Sequence, residues 1–108
     1  MQGALSDYNQ AIKLKPSYII AYRNRAEIYY RTTKYKEAIS DYTKLIELNP
    51  GDAGAYYGRG LATAATGNKN KAVQDLKKAA EIYRQQGNQA DLQAAEERIR
   101  TLQQSQRN

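Results

Sequence analysis

The chain has 108 residues, with 17 Lys and Arg against 11 Asp and Glu for a net charge of +6, and it contains neither Cys nor His. That composition excludes disulfides, thiolate or imidazole metal sites and nearly every nucleophilic triad. The basic residues are scattered, with no run of five or more like charges, which reads as a solvated helical surface.

Six helices are predicted. The first covers about residues 4–15, with Leu5, Tyr8 and Ile12 on one stripe beside Ala4 and Ala11. It stops before Pro16, which cannot continue a helix and pushes Lys15 out of it. The second covers about 17–32, with Tyr18, Tyr22, Ala26 and Tyr29 on one side, and turns at Thr32-Thr33-Lys34. The third covers 35–48 and ends at the breaker Asn49-Pro50-Gly51. Asp52 is placed to cap the fourth, about 53–66, which stops at Gly67-Asn68. The fifth covers 69–86. Arg84 stands where Pro16 and Pro50 halt the earlier helices, so this helix is expected to run about a turn longer, to Gly87-Asn88. The sixth, about 89–104, sets Leu92, Ala95, Ile99 and Leu102 against a polar face of Gln93, Glu96, Glu97 and Arg100, the pattern of a capping helix. Residues 105–108 are expected to fray.

These elements repeat at an interval of 34 residues: Asp7, Asp41 and Asp75; Ala4, Ala38 and Ala72; Leu5, Ile39 and Val73. Tyr22 maps onto Tyr56, Arg25 onto Arg59, and Ala26 onto Gly60. A fixed period in this range signals stacked supersecondary units and not one globular core. The pattern resembles the tetratricopeptide repeat, a helix–turn–helix unit. Tyr22, Tyr29 and Tyr42 stand in its aromatic slots, Ala26 and Ala38 in its small slots and Pro50 at its end. Tyr56, Gly60, Ala72 and Leu76 match in the next copy, where Thr63 replaces the second aromatic and Arg84 the proline.

The resemblance implies an all-α solenoid of antiparallel helix pairs in a single domain, residues 1–108. It holds about two and a half repeats plus a C-terminal capping helix. Residues 4–16 would be the second half of a repeat, 17–50 and 51–86 full repeats, and 89–104 the cap. The family often has Leu where this chain has Arg25 and Arg59. An Arg stem can pack while its head reaches out, and Asp7, Asp41 and Asp75 are the natural partners, either within a repeat or across to the next.

The resemblance also implies a non-catalytic protein-interaction module, in which the first helix of each repeat lines a concave groove. Those positions are Ile20, Arg23, Asn24, Glu27, Tyr30 and Arg31 on the second helix. On the fourth they are Gly54, Tyr57, Gly58, Leu61, Ala64 and Ala65, a set with no charge. An exposed apolar stripe usually meets something: a peptide, the C-terminal helix or a second copy. A segment with apolar anchors and some acidic residues is the expected ligand. Some relatives clamp a C-terminal carboxylate with Lys, Asn and Arg on successive first helices. Here Asn24 fits, but Gly54 and Gly58 stand where basic residues are needed, which argues against that ligand class.

Because the first helix has no partner helix before it, the chain is expected to be a piece of a longer array. Otherwise Leu5, Tyr8 and Ile12 form a self-association edge, and the protein is a self-assembling structural element. A helical-repeat RNA-binding surface is a third reading, opposed by Glu27 and the apolar groove positions. No cofactor is expected. Gly58-Arg59-Gly60 lacks both the preceding strand and the third glycine of a dinucleotide loop, and Glu96-Glu97 point about 100° apart on a helix. No apolar run approaches the ~18 residues of a membrane span, and no signal stretch is visible. With zero Cys, a cytoplasmic setting is the default expectation.

Overall fold

Among the described residues, five helices follow one another in the predicted order: α1 (Ile19–Arg31), α2 (Tyr35–Leu48), α3 (Ala53–Ala65), α4 (Lys69–Gln86) and α5 (Gln89–Arg107). The computed structural model describes residues 19–107, and no strand occurs among them. The predicted first helix, with Leu5, Tyr8 and Ile12, lies outside the described residues, as do Asp7 and Pro16. Each helix packs against its neighbours in sequence, and α1 also touches α3. This is the nearest-neighbour layout of a helical solenoid.

The helices end by two devices. At the ends of α1, α3 and α4, one residue adopts a left-handed backbone: Thr33 (φ 64°), Gly67 (φ 94°) and Gly87 (φ 72°). In each case the following amide reaches back to the helix. Lys34 N–H donates to the Tyr29 carbonyl at 2.8 Å, Asn68 to Thr63 at 3.3 Å, and Asn88 to Tyr83 at 2.9 Å. These bonds satisfy carbonyls that the helix end would otherwise leave open. The junction between α2 and α3 works differently. The side chain of Asn49 accepts from Gly51 N–H at 3.1 Å, and Asp52 Oδ1 accepts from Ala55 N–H at 3.1 Å, capping α3 as predicted.

Small residues set the helix spacing. Ala26, Ala38 and Ala72 are fully buried, and a Cβ added to Gly60 would come within 2.9 Å of Leu76 Cγ and 3.2 Å of the Ala72 carbonyl oxygen. Tyr22, Tyr42, Leu45 and Leu76 fill the space that remains. Ile28 and its counterpart Ala62 are buried too, although the repeat pattern singled out neither.

Without a proline at position 84, α4 runs 18 residues against 14 in α2. Arg84 then donates to Glu96 of α5 at 3.3 Å. Asp91 lies in the first turn of α5, where its carboxylate accepts from the Asn88 side chain at 2.7 Å. The last helix departs from expectation. It does not end at position 104 but continues to Arg107. No Gly or Pro interrupts it there, and Lys69 at the start of α4 donates to Ser105, tying the late turn of α5 back to the stack.

Candidate functional site

The recurring Arg and Asp meet inside each repeat, which resolves the two pairings left open by the sequence. Arg25 Nε and Nη2 on α1 donate to the two carboxylate oxygens of Asp41 on α2 at 2.7 and 2.6 Å. Arg59 on α3 grips Asp75 on α4 in the same way, with both bonds at 2.9 Å. Arg59 also reaches back to Thr43 of the preceding repeat at 3.3 Å. The guanidinium of Arg25 lies 5.8 and 5.6 Å from the ring centres of Tyr22 and Tyr29, and that of Arg59 lies 5.6 Å from Tyr56. The hydrogen bonds to Asp41 and Asp75 raise the pKa of Arg25 and Arg59 despite burial, which acts the other way. These cations are fastened into the framework.

The residues predicted for the groove lie on α1 and α3. Ile20 is 59% exposed, Glu27 and Arg31 are exposed, and Asn24, Tyr30, Tyr57 and Leu61 are half-buried. Glu27 and Arg31 form a loose pair at 4.0 Å across one helical turn. The ring of Tyr30 meets that of Tyr35 edge-on, with centres 5.6 Å apart and planes at 63°. Arg23 is paired with Asp52, the residue that caps α3. Gly54 makes room for this pair, since a Cβ there would come within 3.2 Å of Arg23 Nη1.

One expectation changes at α3. Gly58 is not part of an open stripe. It is buried, and a Cβ on it would fall inside the ring of Tyr42, so the glycine is a seat for that ring. Tyr57 is partly covered from within the chain, since it packs against the cluster of Ala80, Leu92 and Ala95 contributed by α4 and α5. Beside it, Tyr57, Ala94, Glu97, Arg98 and Thr101 bound a cleft of about 400 Å³ between α3 and α5. The C-terminal helix therefore covers one end of the apolar stripe. Tyr83 joins the same cluster, and burial pushes its phenol up, with Asp91, Tyr57 and Asp52 adding to the effect.

The residue that sequence reasoning missed is Tyr42. Its repeat slot marks it as core, and its ring is core: the residue is only 6% exposed. Its polar end is placed otherwise. Burial pushes the phenol up to about 12, and the charged and phenolic groups acting on it are Glu27, Arg23, Tyr30 and Arg31, all on α1. No hydrogen bond ties the hydroxyl down among the described residues, and no fully buried side-chain oxygen there lacks a partner. The hydroxyl is therefore not fully sealed from solvent, although the residue as a whole is buried. The visible signal was the glycine at position 58, which offers an opposing ring a path between the helices.

Family models described as Tetratricopeptide repeat match residues 19–52 and 53–86, and one described as TPR repeat matches residues 1–32. The chain belongs to the tetratricopeptide repeat family. Similar folds recur among solved structures of tetratricopeptide repeat domains. The first TPR of Spaghetti (RPAP3), bound to the HSP90 peptide SRMEEVD, is 25% identical with a TM-score of 0.83, over 96% of this chain and 78% of that one. The TPR2B domain of yeast Sti1, in a complex with pHsp70, is 25% identical with a TM-score of 0.86, over 94% and 81%. MamA is 32% identical with a TM-score of 0.73 over 81% of this chain, which spans 48% of the MamA chain. No curated protein matches the sequence. Among the described residues, no helix is long and apolar enough to cross a membrane, and no group of carboxylates could hold a metal ion.

Proposed function

We propose that this tetratricopeptide repeat chain is a non-catalytic protein-interaction module that binds a peptide segment along the face made by α1 and α3, with α5 as its far wall. The observation that supports the reading is that Tyr30 on α1 and Tyr57 and Leu61 on α3 are each held half-buried, while Ile20, Glu27 and Arg31 on α1 are exposed. Large side chains held part-way out of water are the usual anchors of recognition surfaces. Two similar domains are described with chaperone peptides bound, which supports a peptide as the class of partner.

The anionic end of such peptides finds less here. Arg23 is already paired with Asp52, and Gly54 offers no cation. The formal charges of the face, Arg23 and Arg31 against Glu27 and Asp52, cancel. The ligand is accordingly a segment bound by apolar anchors, with acidic residues contributing at Arg31 alone.

The test begins with peptides selected from a displayed random 12-residue library against the intact chain. Affinity is then measured by titration calorimetry. Tyr57→Ala is expected to weaken binding by about 1 kcal/mol or more, as a hot-spot anchor does. Full-strength binding in the Tyr57→Ala, Leu61→Ala double variant would place the site elsewhere.

A further inference from the structure

We infer that the Tyr42 hydroxyl is a recognition element of the α1–α3 face, donating a hydrogen bond to a neutral carbonyl oxygen of the bound segment. The inference rests on the reading of that face as a peptide site.

Tyr42 belongs to α2, the second helix of its repeat, whose side chains would ordinarily be expected to stay behind the binding face. Gly58 changes that. With no Cβ at position 58, the ring of Tyr42 passes against the backbone of α3 and is held there, so the hydroxyl sits at a fixed point. A hydroxyl on a locked ring loses little freedom when it bonds, whereas the long Arg31 side chain must be ordered first. The oxygen has no partner among the described residues, so its donor capacity is unspent in the free protein. The phenol stays protonated throughout the physiological range, so it offers a proton and not a negative charge.

The chemistry of the acceptor follows from the surroundings. The groups of α1 whose charge acts on the phenol are Glu27, Arg23, Tyr30 and Arg31. Arg23 is neutralised by Asp52, and Arg31 lies 4.0 Å from Glu27. Glu27 and Arg31 offset each other as Arg23 and Asp52 do, so a carboxylate arriving at this point would be desolvated with no net cation to repay it. A carbonyl oxygen, from the main chain or from a side-chain amide, meets no such penalty. The ring seated on Gly58 fixes where along the face that carbonyl must lie, and so sets the register of the peptide between Tyr30 on one side and Tyr57 on the other.

The experiment uses peptides selected from the random 12-residue library against the wild-type chain, synthesised both with a free C-terminus and with a C-terminal amide. Tyr42→Phe removes one oxygen and keeps the ring on Gly58. Its melting temperature should match the wild type, and its affinity for the selected peptides should fall about 3- to 10-fold, the worth of one neutral hydrogen bond. Free-acid and amidated peptides should bind alike. Unchanged affinity in Tyr42→Phe, with binding still lost in the Tyr57→Ala, Leu61→Ala variant, overturns the inference and leaves the groove reading standing. Retained binding in that double variant, or a library that yields no binder, overturns both. A strict requirement for the free carboxylate overturns the neutral acceptor.

Discussion

Thr33 occupies the left-handed backbone position that Gly67 occupies one repeat later, with φ of 64° and 94° respectively. Both end the first helix of a repeat and support the same reach-back bond, from Lys34 to Tyr29 and from Asn68 to Thr63. A β-branched residue is strained there and a glycine is not. Thr33→Gly should therefore stabilise the fold by about 1 kcal/mol, after allowing for the greater freedom of glycine in the unfolded chain. For a domain of this size that is a rise of roughly 4–8 °C in melting temperature. Thermal unfolding followed by circular dichroism measures it, and a fall would show that the Thr33 side chain contributes more than its backbone costs.

The paired guanidinium and carboxylate of Arg25 and Asp41 make a second prediction. Asp41 is 3% exposed, so deleting its partner strands a buried charge. Arg25→Leu alone should destabilise the fold by about 3–5 kcal/mol. Replacing both residues with Leu should recover most of that loss, because two apolar side chains leave nothing unpaired. Urea unfolding of the two single variants and the double variant gives the coupling. A stable Arg25→Leu would mean that Asp41 finds water or another donor.

Gly58 supplies a third. Alanine is the better helix former by about 1 kcal/mol, so propensity alone predicts that Gly58→Ala stabilises α3. The methyl would instead land in the Tyr42 ring. The expected outcome is a net loss of about 1–3 kcal/mol from overpacking. Gly58→Ala in a Tyr42→Leu background should lose less, and equal losses in the two backgrounds would contradict the contact.

The fourth concerns alkaline pH. The Tyr42 phenol is raised from 10.0 to about 12 by burial, so the folded state holds its proton more tightly than the unfolded chain. The stability this provides is complete below pH 10 and is lost as pH rises through about 12. Tyr83 is shifted in the same direction and adds to the trend. Chemical denaturation at pH 9, 10 and 11 should show stability declining in the wild type and declining less in Tyr42→Phe.

Much of this architecture was legible in the residues. The boundaries of α2 and α4 coincide with prediction, because Asn49-Pro50, Gly67-Asn68 and Gly87-Asn88 each act locally through backbone geometry. The small slots were equally plain, since Ala at a fixed interval has few other uses. Three features were not legible. Whether Arg59 bonds within its repeat depends on the rise between helices, which periodicity does not encode. The fate of the Tyr57 stripe depends on how α5 lies across α3, a tertiary fact. The role of Tyr42 was hidden because a repeat slot describes where a ring is buried and says nothing of where its hydroxyl ends.

Arg23 and Tyr57 hold the same place in successive repeats, yet each is fastened to its surroundings by a different force. Arg23 clasps Asp52 across the seam between α1 and α3, with 34% of its side chain open to solvent, while Tyr57 rests on Ala80, Leu92 and Ala95 beneath α5. These two contacts therefore answer oppositely to ionic strength. Added salt slackens the first by screening its charges, and salts of the sulfate type tighten the second by favouring apolar burial.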